Sequence, residues 1–179
     1  MIQRKVSLLA ILLLPIILFA QETKPRVSPL AMSTARYKDA YLKITYSQPS
    51  KKGREVFGRL VPFGEVWQTG DNEATEITVT RDILINGIML KAGTYSIFTI
   101  PNKETWTIIL NGDVGLWGSY NYNMKTDVLR FDVPVQPLSG VVYETFAIGI
   151  DQKNDKAEIA FLWDKTKVSF TVQFNEPKP

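Results

Sequence analysis

Among its 179 residues the chain has no cysteine and no histidine. Without them no Ser-His-Asp or Cys-His nucleophile can be assembled, nor a zinc site of the usual nitrogen and sulfur ligands. Disulfides are excluded too, as is a lipoprotein acylated at an N-terminal cysteine, so stability must come from the core. Arginine-rich runs are missing, and with them the usual footprint of a nucleic-acid binder. The chemistry left is that of carboxylates, of Lys and Tyr, and of oxygen-ligated cations.

Residues 1–20 have the layout of a secretory signal peptide. Arg4 and Lys5 make a basic start, Val6 to Phe19 carries no charge, and Ala20 precedes the polar Gln21-Glu22-Thr23-Lys24. The run is short for a membrane-spanning helix. Leu18 stands where cleavage favours a small residue, so a retained N-terminal anchor is the alternative to export into the periplasm or medium. Setting Arg4 and Lys5 aside leaves 19 basic against 18 acidic side chains, a net charge of +1. The mature chain therefore has no charge excess to spread along a polyanion, and nucleic acid is not an expected partner. A chain of this size suits one domain.

Residues 21–36 are polar and hold Pro25 and Pro29, which reads as an exposed lead-in. Beyond it the pattern is that of strands. Leu42, Ile44 and Tyr46 alternate with Lys43 and Thr45. Asn86-Gly87 lies between apolar residues and predicts a tight hairpin, because both turn positions need a positive φ. Thr94–Ile100, Trp106–Asn111 and Val128–Val133 follow as strands, with a long loop over residues 112–127. The C-terminal third alternates most cleanly, through Phe146, Ile148 and Ile150, then Ile159, Phe161 and Trp163, then Val168, Phe170, Val172 and Phe174. That pattern predicts a three-stranded antiparallel meander with one wet face. About nine or ten short strands and no sustained helical period indicate an all-β antiparallel sandwich over residues 37–174, of which the jelly roll is one arrangement. Residues 175–179 read as a tail.

The stretch Tyr46–Thr75 is built differently. It packs four glycines, two prolines and four aromatics between charged residues, and one helical turn over Arg54–Leu60 fits the spacing of Glu55 and Arg59. The residues Gly53-Arg54, Phe57-Gly58, Leu60-Val61-Pro62, Val66-Trp67, Thr69-Gly70 and Asn72-Glu73-Ala74-Thr75 carry a resemblance to a bacterial family known as domain of unknown function 2911. Ala92-Gly93-Thr94-Tyr95-Ser96, Trp117-Gly118 and Asp127-Val128-Leu129-Arg130 extend it over nearly the whole mature chain. The resemblance implies a secreted bacterial β protein and supplies no function. Where the family pattern favours arginine this chain has Gln48 and Gln68, which puts an anion site built on those arginines in doubt here.

The candidate site is a polar pocket of Arg54, Trp67, Thr69, Asn72 and Glu73, with Trp117 as a lid. Arg54 would orient a polar group, Asn72 and Glu73 would hydrogen-bond it, and the indole of Trp67 would floor the pocket. An indole face suits the C–H face of a sugar, so a small polar ligand or carbohydrate is the expected partner. The plainer alternative is a self-satisfied turn at Asp71 and Asn72 braced by an Arg54–Glu73 pair. Glu65, Asp71 and Glu73 could supply the two carboxyls of a glycoside hydrolase, but sequence does not set their separation. Asp71-Asn72-Glu73 and Asp113 lack the alternate-residue spacing of an EF-hand calcium loop, so no metal or other cofactor is expected. Trp117, Tyr120, Tyr122 and Asn123 in the long loop offer either a contact surface, including one for an envelope protein, or a cap on the fold.

Overall fold

The computed structural model describes residues 26–174. The leader expected over residues 1–20, the lead-in as far as Pro25 and the tail over 175–179 lie outside the described residues. Eleven strands follow in order: β1 (Leu30–Tyr37), β2 (Ala40–Ser47), β3 (Thr75–Val79), β4 (Ile83–Ile85), β5 (Ile88–Leu90), β6 (Gly93–Ile100), β7 (Thr105–Asn111), β8 (Asp127–Pro137), β9 (Tyr143–Lys153), β10 (Lys156–Asp164) and β11 (Thr166–Phe174). A 3₁₀ turn at Met124–Thr126 is the only helical piece among the described residues. No helix there is long and apolar enough to cross a membrane.

The fold is all-β and antiparallel, and its two faces belong to one sheet nearly closed into a barrel. Strand order is β1-β2-β3-β6-β7-β8-β11-β10-β9, and the β4–β5 hairpin joins at β11. Asn86 and Gly87 turn that hairpin at φ 48° and 80°, as the Asn-Gly pair requires. The meander of β9, β10 and β11 is present in register, with Ile159 opposite both Ile150 and Phe170. Strand β8 serves both halves. Its first part pairs with β7, and Val135–Pro137 pair with β11.

Two sequence expectations need correction. The lead-in read over residues 21–36 contains a strand: from Leu30 on, β1 pairs residue by residue with β2. Pro29 ends at the strand boundary, where its missing N–H costs no ladder bond. The helical turn expected over Arg54–Leu60 is a pair of tight turns, in which Gly58 donates to the Val61 carbonyl at 2.8 Å with φ 94°. The Glu55–Arg59 ion pair forms without a helix.

The seam between β1 and β9 is closed by side chains rather than by a ladder. Gln152 accepts from Arg36 N (3.2 Å) and donates to Arg36 O (2.9 Å), so one amide stands in for a strand neighbour. Tyr46 Oη accepts from Ile148 N (3.0 Å), Ser33 Oγ donates to Ile148 O (2.6 Å), and Gln48 Nε2 donates to Phe146 O (3.2 Å). These contacts occupy edge groups that would otherwise template another strand.

Inside lies one core fed by all eleven strands, including Trp67, Trp106 and Trp163. A second, smaller cluster of Ala74, Phe98 and Ile109 sits on the outer face of β6 and β7. Leu116 and Tyr122 cover it from the long loop. Loop cover on that face explains why Ile97-Phe98 and Ile108-Ile109 are apolar on both sides of the sheet.

Candidate functional site

Between the end of β2 and the start of β3 the chain makes no long strand, and positive-φ residues steer it. Lys52 (φ 49°) and Gly53 turn it back towards β9, where Lys51 N donates to Glu144 O and Lys52 N to Glu144 Oε1. Trp67 and Thr99 exchange backbone bonds of 2.8 and 2.9 Å, tying the segment to β6. Thr69 then adopts φ 57°, a strained conformation for a β-branched residue that costs about 1–3 kcal/mol. It is fully buried and over-determined: its hydroxyl donates to Thr99 Oγ1, and its carbonyl accepts from Thr75 Oγ1 at 2.7 Å. Past the kink the chain runs through the buried Gly70 to Asp71, which is partly exposed.

The result is a cleft of about 450 Å³ whose lining includes Lys52, Arg54, Glu65, Gln68 and Asp71. Val27 and Ser28 form its opposite wall, and the indoles of Trp67 and Trp163 reach its floor. The wall is held in place by the 71–73 loop. Ser28 Oγ donates to Asp71 Oδ2 at 2.5 Å, and Arg26 forms a two-pronged ion pair with Glu73 while also donating to Ser47 Oγ. The Arg26 guanidinium, by hydrogen bonding, holds the Glu73 carboxyl below the usual carboxylate range.

Only part of the predicted constellation converges. Arg54 and Trp67 line the cleft; Thr69, Asn72, Glu73 and Trp117 do not. Trp67 is not an open platform. It is 7% exposed, stacks on Trp163 at 5.8 Å and 21°, and donates its Nε1–H to Gly70 O at 2.9 Å. Burial rewards so large a ring more than exposure would. Arg54 does not brace Glu73; its guanidinium donates to the Ser50 and Lys51 carbonyls, both at 2.8 Å. Asn72 (φ 61°) works through its backbone, its carbonyl accepting from Gly118 N at 2.7 Å. Trp117 forms a backbone bridge to Glu73 and is exposed outside the lining of the cleft, so it does not cover it as a lid. Tyr122 is turned in, against Phe98.

Sequence reasoning missed Val27 and Ser28 as a wall and Arg26 as their anchor, because nothing local marks a segment that is held by a loop more than forty residues away. Gln68, which the sequence reading gave no role, also lines the cleft, as does Asp71. Of the carboxylates considered for hydrolysis, Glu65 and Asp71 reach the cleft and Glu73 is engaged by Arg26. No group of three or more acidic side chains close enough to hold a metal occurs among the described residues.

No curated protein and no solved structure matches the chain. Its turn-rich block, its loop and its strands match as a unit from Ser28 in the cleft wall to Val172 in β11. Over residues 28–172 the chain belongs to the family described as protein of unknown function, DUF2911.

Proposed function

We propose that the cleft binds a small, polar ligand of no net charge, and that it does so after export, in the periplasm or outside the cell. One observation carries the first half: a single recess brings two cations, Lys52 and Arg54, together with two carboxylates, Glu65 and Asp71, and the Gln68 amide above buried indoles. The charges balance, so no field selects an ion. The amide both donates and accepts, which suits hydroxyl or amide groups on a ligand. The volume is that of a small-molecule site. Export rests on the basic-apolar-polar layout of residues 1–20.

Binding is favoured over hydrolysis by the state of the carboxylates. A general acid is normally withdrawn from water to hold its proton at neutral pH. Glu65 is exposed and Asp71 is held by Ser28. Thermal shifts of residues 21–179 with neutral sugars, peptidoglycan fragments, nucleotides and divalent cations test the binding half. A ligand at a hundred times its Kd adds about 2.7 kcal/mol of stability. The expected shift appears with a neutral polar ligand and disappears in Gln68→Ala and Asp71→Ala. Shifts that survive both changes, or product release lost in Glu65→Gln, would sink it. The export half predicts a periplasmic product beginning near Gln21 when the full chain is expressed in a bacterium; a cytoplasmic product retaining Met1 would refute it.

A further inference from the structure

The long loop after β7 presents two large rings to water. Trp117 is 59% exposed and Tyr120 is 88% exposed, whereas the other three tryptophans lie in the core. The loop beneath them is firmly built. Ala74 N donates to Leu116 O (2.8 Å) and Gly118 N to Asn72 O (2.7 Å). Tyr122 packs on Phe98 and donates to Asp127 Oδ2 (2.7 Å), and Asn111 Nδ2 donates to both Asn123 O and Asp127 Oδ1. Tyr120 lies against the same backbone. A Cβ on Gly118 would meet its ring at 2.9 Å, so the ring lies directly over the Gly118 backbone, which sits at φ 65°. Rings held out on a fixed scaffold mark a contact site more than a slack loop does.

Position and composition indicate the occupant. Ser119, between the two aromatics, lines the cleft. The rings alternate with polar residues, Ser119, Asn121 and Asn123, instead of merging into the continuous apolar centre of a protein interface. Val114 and Met124 are exposed elsewhere on the same loop and Val128 at the start of β8, which makes a protein partner the rival. The cleft that the loop borders is balanced in charge. We infer that Trp117 and Tyr120 form a stacking subsite continuing the cleft, and that the ligand is a neutral glycan chain with two sugars in the cleft and the next ones across the two rings. This assignment rests on the cleft reading above.

Calorimetric titration of residues 21–179 with cellobiose, cellohexaose, chitobiose and chitohexaose tests it. For one of the two series the hexamer is expected to bind at least about tenfold more tightly than the dimer, the gain of stacking on two rings. Trp117→Ala and Tyr120→Ala should each remove much of that gain while leaving dimer binding unchanged. Both lie on the surface, so the fold survives. Because Trp117 alone among the tryptophans is exposed, iodide quenching of tryptophan fluorescence should fall when the hexamer binds. Equal affinity for dimer and hexamer overturns the subsite and leaves the cleft reading standing. No binding of any of the four sugars overturns the glycan assignment. An envelope protein captured by the wild type and lost in Trp117→Ala, with no hexamer binding, overturns it in favour of docking.

Discussion

Replacing Trp67 by alanine separates a core residue from a binding platform. The ring is 7% exposed and lies against Phe57, Trp106, Phe146 and Trp163 at centroid distances of 5.3 to 6.1 Å. Truncating such a residue costs about 3–5 kcal/mol through lost transfer energy and the cavity left behind. The change also orphans the Gly70 carbonyl, which accepts from Trp67 Nε1, adding up to about 1–3 kcal/mol unless water enters. A loss near 4 kcal/mol is a large fraction of the 5–15 kcal/mol typical of a whole domain. At roughly 2–4 °C per kcal/mol for this size, the midpoint should fall by about 8–16 °C. Trp67→Phe keeps most ring contacts and loses the donor, so about 1–3 kcal/mol is expected. Trp117→Ala should stay within about 0.5 kcal/mol of wild type. Scanning calorimetry and urea titration on the three variants give the answer. A Trp67→Ala protein as stable as wild type, or one that loses ligand without losing stability, would refute the burial argument.

Three further outcomes follow from the geometry. Gly58→Ala places a Cβ 2.7 Å from the Phe63 ring at φ 94°, so a loss of about 1–3 kcal/mol is expected in urea titration; a neutral result would refute the tight turn. Glu73 has a folded pKa below its unfolded value of about 4.3, so its contribution is present above that pH and is lost as pH falls through the folded value. With 44% of its side chain exposed the effect is well under about 1 kcal/mol, and Glu73→Gln should flatten only the acid end of a Tm-against-pH curve, below about pH 5; a change near neutrality would count against the assignment. Gln152→Ala removes both bonds to Arg36 and should cost about 1–2 kcal/mol, with amide exchange quickening first in β1; uniform exchange rates would show that the seam is held otherwise.

What the sequence disclosed was local. The Asn86-Gly87 hairpin and the alternation of Ile159, Phe161 and Trp163 depend on neighbours a few residues apart, and both stand as read. The adjacency of β8 with β11, or of β3 with β6, depends on closure over long stretches and leaves no periodic trace. Pro29 and the polar residues before it hid β1, since a strand pinned on one side by β2 and on the other by Gln152 needs little hydrophobicity of its own. The turn-rich segment supplies most of the lining of the cleft, but composition alone cannot say whether an indole beside a glycine faces outward or inward. Trp67 faces inward because Phe146 and Trp163, 79 and 96 residues further along the chain, offer it rings to pack on.

Val27 and Ser28 precede β1 in the chain and also wall the cleft, with Arg26 anchored just before them. A pull applied at the N-terminal end would therefore reach the Arg26–Glu73 and Ser28–Asp71 links before it loaded any backbone ladder. Mechanical tension on the chain would thereby distort the recess well before the sheet itself unravelled.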